Sequence, residues 1–261
     1  MNPIPNLDSF TSLDLQELDR KASLLSRVDN KYIVRGELSA NGIKKLQEEF
    51  DVLSIDNKRI FGYENIYFDD GGVCFHRHSR GKRKRFKART RVYLDSDELT
   101  FFEVKLAGQG RKVDKYRISC GPSEHGALTD HFAFFLKARY FEQYHKRFNF
   151  ELVPTVKTAY RRITLVAKNG GERLTIDHDI SLGLNDVSSG LPSSISIFET
   201  KSKNGRGIAD KILSAASIPR VKGCSKFCLS MALGGKVTRF DKFLALVRNH
   251  FQASPVIRRH S

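Results

Sequence analysis

The sequence has few cysteines, and their spacing is not typical of a zinc site. The four cysteines form no CxxC pair, and no histidine cluster at zinc-ligand spacing accompanies them. We therefore expect reduced cysteines with a structural role. They are Cys74, Cys120, Cys224 and Cys228.

Long apolar runs, a secretory signal and linker segments are also lacking. No apolar run approaches the roughly 20 residues that a helix needs to cross a bilayer. The start, MNPIPNLDSF, has neither the basic segment nor the apolar stretch of a signal peptide. Pro-rich or Ser-rich linkers, internal repeats and long disordered stretches are absent. We expect a single domain over residues 1–261 that is soluble and cytoplasmic, without a transmembrane segment.

The charge of the chain is strongly positive. It has 45 lysines and arginines against 29 acidic residues, a formal net charge of +16. Such an excess indicates an anionic partner, which can be nucleic acid, a membrane surface or a phosphate-rich ligand. Because the chain has no helix-turn-helix, zinc-finger or RNP-like signature, we expect no nucleic-acid partner. The basic run from Arg80 to Lys87 is compatible with a solvated hairpin, polyphosphate attraction or nucleic-acid binding.

Hydrophobic periodicity predicts an α+β fold. Helical patterns occupy a terminal extension up to about residue 26, a segment capped by Ser39, an aromatic-rich stretch from Thr129 to Lys146, and parts of about 204–251. Strand patterns come mostly as sequential hairpins. They are RVDNKYIV, ENIYF, RFKARTRVYL, TFFEVKLA, KVDKYRIS, PTVKTAYRRITLVA, ERLTIDHDI and SISIFETK. This order predicts an antiparallel sheet or barrel with helices packed outside it.

Charged side chains repeatedly occupy one face of these strands. In KARTRVYL, alternation places Lys87, Arg89 and Arg91 on one face and apolar residues on the other. Later strands repeat the pattern with Glu103 and Lys105, Lys115 and Arg117, Arg173 and Asp177, and Glu199 and Lys201. An open sheet with one face in water explains any single strand. In a closed sheet these charges would converge and repel unless a polyanion filled the space, and carboxylates among them would hold a divalent metal.

A series of motifs resembles a known family. In chain order they are RVDNKY, NIYFDD, RHSRGKRKRFKARTRVY, FFEVK, DKYRI, PTVKTAYRR, ERLTIDHDI, IFETK and CSKFC. Together they resemble the VTC-type polyphosphate polymerase domain, a branch of the triphosphate tunnel metalloenzymes that also includes CYTH phosphatases and cyclases. The resemblance covers most of the chain. It implies a closed antiparallel β-barrel of about eight strands, the triphosphate tunnel, with helices outside.

The resemblance implies a set of site residues. The catalytic bases lining the tunnel would be Lys31, Arg89, Arg91, Lys105, Arg162, Arg173 and Lys226. The phosphate-binding residues would be Lys115 and Ser225, with Lys87 and Arg117 added from the same strand faces. Glu199 matches the metal-binding carboxylate, and the metal would be Mn²⁺ or Mg²⁺. Glu103 would either assist the metal or form a salt bridge with an arginine or lysine.

The resemblance also implies an activity, an ATP-dependent polyphosphate polymerase. Its partners would be ATP and a polyphosphate, pyrophosphate or phosphate primer; no oligomeric state is predicted. The CYTH branch has an ExExK motif in its first strand, where this chain has residues Arg27 to Lys31. The lost glutamates favour the polymerase over the phosphatase, although Asp29 and Asp177 can return carboxylates to the tunnel. A tunnel-fold triphosphatase or nucleotide phosphohydrolase, and a non-catalytic polyphosphate or nucleic-acid binder, are the alternatives.

Overall fold

The computed structural model describes residues 2–22, 28–97, 99–108, 113–183 and 189–251. Their α-helices are α1 Leu15–Ala22, α2 Ala40–Glu49, α3 Val73–Ser79, α4 Asp130–Tyr144, α5 Ile208–Ala215, α6 Lys226–Leu233 and α7 Asp241–Phe251. The strands are β1 Ser12–Leu13, β2 Val28–Arg35, β3 Phe50–Leu53, β4 Phe61–Asp69, β5 Phe86–Tyr93, β6 Leu99–Ala107, β7 Val113–Cys120, β8 Val153–Ala167, β9 Arg173–Gly183, β10 Ser189–Gly190 and β11 Ile195–Ser202. Short 3₁₀ turns cover Leu7–Ser9 and Pro122–Glu124.

The chain divides into two compact units. The first unit consists of Met1–Gly62, Tyr160–Ile180 and Gly190–Lys222. The second consists of Tyr63–Ala159, Ser181–Ser189 and Gly223–Ser261. The expectation of one domain over residues 1–261 stays a prediction.

In the first unit, the site is carried by strands β2, β11 and β9, which follow one another in the sheet, and by the second part of β8 beside β9. β11 pairs antiparallel with both β2 and β9, so Glu199 lies between Lys31 on one side and Thr175 on the other. The opposite face of these strands is mainly apolar, with polar side chains at Asn30, Thr200 and Ser202. It contributes Tyr32, Ile176 and Phe198 to a core that also includes Leu213 of α5. Alternation along each strand therefore separates a buried, mainly apolar face from a charged one.

In the second unit, the sheet order is the first part of β8, then β4, β5, β6 and β7. Consecutive members of β4 to β7 pair antiparallel. Phe68, Phe86 and Phe102 are fully buried, and Phe102 stacks on Phe132 of α4 with ring centroids 4.7 Å apart. The aromatic-rich helix α4 is thus packed on one face of the sheet, as predicted for its apolar positions.

The antiparallel strands and the α+β class are confirmed, and so is the helix cap at Ser39, whose Oγ accepts from Gly42 N at 3.3 Å. The strand pairs of the described residues form no closed ring, so the closed barrel stays a prediction. The basic run does not form a hairpin, because it follows helix α3 and leads directly into β5. None of the helices in the described ranges is both long and apolar enough to span a membrane.

Candidate functional site

A cluster of charged side chains lies on one face of the sheet in the first unit. Its centre is the Glu199 carboxylate, which forms ion pairs with Lys31 of β2 through one oxygen and with Lys201 of β11 through the other. Lys201 Nζ also lies 3.4 Å from Thr175 Oγ1 on β9. We call the set Lys31, Arg162, Arg173, Asp177, Glu199 and Lys201 the first-unit cluster.

Arg162 and Asp177 form the third ion pair of this cluster. Arg162 Nε and Nη2 donate to the two oxygens of Asp177 at 2.5 and 2.8 Å, a bidentate arrangement. Asp177 is almost fully buried, whereas Lys31 keeps 28% of its side chain exposed and Glu199 keeps 16%. Arg162 is 17% exposed, so a ligand can reach Lys31, Glu199 and Arg162 more readily than Asp177.

Electrostatics keep the Glu199 carboxylate ionised. Burial raises its pKa, but the charges of Lys201 and Lys31 and their hydrogen bonds outweigh burial and hold the pKa well below its usual range. Burial lowers the pKa of Lys201, and Glu199 opposes that shift. Glu199 is consequently a poor proton acceptor and a good partner for cations.

A second cluster lies on one face of strands β5, β6 and β7 in the second unit. Arg89 and Glu103 are directly opposite each other, and Arg89 Nε and Nη2 donate to one Glu103 oxygen at 2.8 and 2.5 Å. The other oxygen forms an ion pair with Lys115 of β7. Arg89 Nη1 also donates to the hydroxyl of Tyr67 at 2.8 Å. We call the set Lys87, Arg89, Arg91, Glu103, Lys105, Lys115 and Arg117 the second-unit cluster.

Three lysines form a row across this cluster. The strand register places Lys87 opposite Lys105 and Lys105 opposite Lys115. Adjacent like charges of this kind destabilise one another unless anions lie between them. The row is thus suited to a ligand with several negative charges along its length.

The two remaining arginines of the second-unit cluster are fixed by uncharged partners. Arg91 Nε donates to Asn65 Oδ1 at 2.7 Å, and Asn65 Nδ2 donates in turn to the Thr158 carbonyl at 3.3 Å. The Arg117 guanidinium lies 4.6 Å from the ring centroid of Phe101. Neither of these partners carries a charge that would compete with an anionic ligand.

The protonation states of the second-unit cluster are set by burial and by mutual attraction. Burial raises the pKa of Glu103, but the charges of Arg89, Arg91 and Lys115 outweigh burial and lower the pKa far below its usual range. Burial is also the main reason why the pKa of Lys115 is lowered to about 8. Lys115 therefore changes charge within about one pH unit of neutrality.

Ser225 and Lys226 lie at the start of α6 in the second unit. Ser225 is the N-cap, and its Oγ accepts from Cys228 N at 3.5 Å and from Lys87 Nζ at 2.9 Å. Lys226 is the first residue of the helix. The structure thus brings the predicted serine into contact with one predicted phosphate-binding lysine.

The carboxylates fit a divalent metal unequally. In both Glu103 and Glu199 the two oxygens are engaged by cations, but the Glu103 side chain is only 1% exposed, so it fits less well as a ligand. Its contacts agree with the salt-bridge alternative. Glu199 is partly accessible and fits as one ligand of a metal that takes its other ligands from phosphate oxygens. Within the described ranges, no group of three His, Cys, Asp or Glu side chains could hold a metal by itself.

Sequence reasoning missed four contributors. Lys201 was placed on the charged face but not in the site, although it lies two residues after Glu199. Asn65 and Tyr67 lie in the motif NIYFDD and Thr175 lies in ERLTIDHDI, but none of them is predicted as a site residue, because uncharged polar residues on a strand are common. The expectation that only a bound polyanion balances the bases needs correction, since Glu103, Glu199 and Asp177 each pair with bases of their own unit. Arg27 of the RVDNK segment lies outside the described residues.

A protein-family model, described as the VTC domain, matches residues 26–234. None of the curated proteins matches the sequence. Among solved structures, HpAC1 from Hippeastrum, for which a dominant triphosphatase activity is described, is similar to this chain at 13% identity and a TM-score of 0.46, over 81% of this chain and 98% of its own. The PH1819 protein of Pyrococcus horikoshii is 13% identical with a TM-score of 0.40, over 77% and 97%. The inorganic triphosphatase NE1496 is 11% identical with a TM-score of 0.36, over 81% and 99%.

Proposed function

This chain belongs to the VTC domain family, and on that premise we propose that it is an ATP-dependent polyphosphate polymerase. The family assignment supports a protein that handles phosphoryl groups; synthesis of polyphosphate is the finer step of the proposal. The observation that carries it is the density of cations on one sheet face in each unit, where Glu103 and Glu199 are themselves ion-paired with these cations. A chain of phosphates, with about one negative charge per phosphate, is complementary to such a face.

The charged groups suit phosphoryl transfer because that reaction needs alignment and charge neutralisation more than covalent chemistry by the protein. Arg89, Arg91, Arg162 and Arg173 would clamp phosphate oxygens with their planar guanidinium groups. Lys31, Lys105, Lys115 and Lys226 would add compact positive charge. Ser225 would donate its hydroxyl proton to a phosphate oxygen, with Lys87 beside it.

In the proposed reaction, an oxygen of the terminal phosphate of the growing chain attacks the γ-phosphorus of ATP. The bond from that phosphorus to the β–γ bridging oxygen breaks, and ADP leaves with the electron pair. The attacking phosphate is already ionised, so no side chain needs to remove a proton. The lowered pKa values of Glu103 and Glu199 agree with this, because neither carboxylate is then suited to act as a general base.

Two further features of the proposal come from the family resemblance. One is the closed tunnel barrel that would enclose the phosphate chain. The other is a divalent metal, Mn²⁺ or Mg²⁺, which would neutralise charge on the transferring phosphate when bound with Glu199 as its protein ligand. The cytoplasm, where ATP is available, is the proposed location.

The test is incubation of the purified chain with ATP and Mn²⁺, followed by sizing of the products on a gel. We expect long phosphate chains together with ADP, and loss of both on addition of a chelator. Glu199→Gln removes the carboxylate between Lys31 and Lys201 and should lower synthesis at least about a hundredfold. Glu48→Gln, an exposed carboxylate on α2, is the matched control and should leave synthesis unchanged.

The same assay separates the alternatives. Release of free phosphate without phosphate chains would show that the protein is a triphosphatase or nucleotide phosphohydrolase and not a polymerase. Tripolyphosphate binding without turnover of any kind would indicate a non-catalytic binder. RNA binding that survives Arg89→Gln and Arg91→Gln would place nucleic-acid binding on another surface, such as the exposed basic residues 80–83.

A further inference from the structure

Asp210 lies behind the first-unit cluster, on the other face of the strands that carry it. It is in the first turn of α5 and is 3% exposed. Successive strand residues point to opposite faces, so Lys31, Glu199 and Lys201 face one way. The residues between and beside them, Asn30, Tyr32, Thr200 and Ser202, face the other way, towards Asp210.

The Asp210 carboxylate joins the two strands through their side chains. Its Oδ1 accepts from Asn30 Nδ2 at 2.8 Å and Tyr32 OH at 2.6 Å, both on β2, and from Thr200 Oγ1 at 2.8 Å on β11. Its Oδ2 accepts from Gly207 N at 2.9 Å, at the helix N-terminus. One buried carboxylate therefore holds the residues on both sides of Lys31 and the residue between Glu199 and Lys201.

A second set of bonds fixes the same part of β2. Arg220 Nε donates to Tyr32 OH at 3.1 Å, and its Nη2 donates to the Gly205 carbonyl at 2.6 Å. Val221 N donates to the Lys31 carbonyl at 2.8 Å. β11 pairs with one edge of β2, and the bond from Val221 fixes the Lys31 main chain at the other edge.

We propose that Asp210 is a positioning residue, which sets the register and spacing of β2 and β11 and thereby places Lys31, Glu199 and Lys201 for phosphate binding. This inference rests on the proposed phosphate-binding function. The Asp210 carboxylate bonds to Asn30, Tyr32 and Thr200 on the opposite face, so it acts on the three charged side chains through the strands that carry them. The physical reason is that a displacement of about 1 Å in a charged site can cost a large factor in function.

Glu172 provides the matched control. Its two oxygens accept from Ile208 N at 2.7 Å and Ala209 N at 2.9 Å, the same helix end that Asp210 caps. It is likewise buried, 5% exposed. Loss of Glu172 removes bonds to α5 but none of the bonds from Asp210 to the two strands.

The first experiment measures the affinity for tripolyphosphate by calorimetry at a temperature where every variant is folded. We expect Asp210→Ala to bind about tenfold more weakly and Glu172→Ala to stay within about twofold of the parent, while both lower the melting temperature. Asp210→Asn keeps an oxygen for the three strand donors and should recover most of the affinity. Equal affinity losses in Asp210→Ala and Glu172→Ala, or no recovery in Asp210→Asn, would reduce Asp210 to a helix cap.

The second experiment measures amide hydrogen exchange without any ligand. Asp210→Ala and Thr200→Val should accelerate exchange in β2 and β11, whereas Glu172→Ala should accelerate it in α5. Acceleration confined to α5 in Asp210→Ala would overturn the proposal.

Neither of the two measurements depends on polyphosphate synthesis. If the protein binds tripolyphosphate but makes no polymer, the proposed polymerase activity is wrong, and both measurements still test the role of Asp210. A parent that binds no tripolyphosphate would remove the phosphate site, and with it this role of Asp210.

Discussion

Arg89 and Glu103 lie directly opposite each other on β5 and β6, and two guanidinium nitrogens of Arg89 donate to a single carboxylate oxygen. This leaves the other oxygen of Glu103 for Lys115 on the next strand. One carboxylate therefore couples the charges of three strands. The second-unit cluster depends on this anion for its stability even before any ligand binds.

Replacement of Glu103 by glutamine tests that dependence. The change leaves Arg89, which is 90% buried as a side chain, beside Lys115 without the anion between them. We expect Glu103→Gln to lower the free energy of unfolding by about 3 kcal/mol, measured by chemical denaturation. Glu142→Gln, which removes an exposed partner of Arg139, should lower it by less than about 0.5 kcal/mol. A similar small loss for both variants would contradict a structural role for Glu103.

Glu103 and Glu199 contribute to the acid dependence of stability, as do Glu64 and Asp210, whose pKa values are also lowered. Glu103 and Glu199 have pKa values lowered below the ordinary glutamate value of 4.5, by cations that outweigh burial. Their stabilisation is fully present above the unfolded pKa and is lost as the pH falls below it, because the unfolded chain then binds more protons. We expect melting temperatures to fall steeply from about pH 4.5 downwards. The fall should be shallower in Glu103→Gln, which has lost one of the carboxylates with a lowered pKa. An unchanged slope would contradict a contribution from Glu103.

How much of this site the sequence could predict depends on the kind of contact. Strict alternation on β5, β6 and β11 was enough to place Arg89, Glu103 and Glu199 on charged faces, because a strand has a period of two. Alternation gives the face on which a residue lies but not its partner on the neighbouring strand. The sequence pattern therefore could not predict that Glu103 lies opposite Arg89 or that Lys31 lies opposite Glu199. The pairing partners come from the turns and the packing of each unit.

The helices show a similar division. α2 and α4 carry caps, Ser39 and Thr129, and apolar positions at helical spacing, and both were predicted. α6 lies inside the range of about 204–251 in which helices are predicted, but its own bounds are not predicted. Nearly all of its residues are buried, so its sequence KFCLSMAL shows no amphipathic stripe. α3 was missed because its seven residues are too short for a periodic pattern. Asp210 was invisible in the sequence, since its role depends on residues brought together from β2 and β11.

The turn before α5 lies close to β2, and substitution of Gly205 in this turn tests how closely the two are packed. Gly205 has φ +68°, and a Cβ there would lie 2.7 Å from Val28 Cγ1. Gly36 has φ +70° with no atom within 4 Å of such a Cβ. We expect Gly36→Ala to cost about 1 kcal/mol of stability for the left-handed backbone alone, and Gly205→Ala to cost clearly more because of the clash. Equal losses in denaturation experiments would show that Val28 can move away without cost.

The cap of α6 can be separated from the lysine beside it. Ser225 Oγ accepts from both Cys228 N and Lys87 Nζ. Ser225→Ala should lower the free energy of unfolding by about 1 kcal/mol, the usual effect of losing an N-cap, whereas Ser225→Thr should retain most of it. Lys87→Met removes the contact of Lys87 Nζ with Ser225, together with its contact to the Phe227 ring, and should leave the cap intact. A larger loss in Lys87→Met than in Ser225→Ala, measured by thermal unfolding, would contradict the capping role.

Lys115 gives the proposed phosphate site a pH dependence near neutrality. Burial is the main cause that lowers its pKa to about 8, so the ammonium loses its proton as the pH rises through that value. Tripolyphosphate carries several negative charges throughout this range, and a neutral Lys115 attracts it less. We expect the affinity for tripolyphosphate to fall between about pH 7 and pH 9, together with proton uptake on binding in that range. Lys115→Arg keeps its charge throughout, so its affinity should stay nearly constant over the same range. An identical fall in parent and variant would assign the titration to another group.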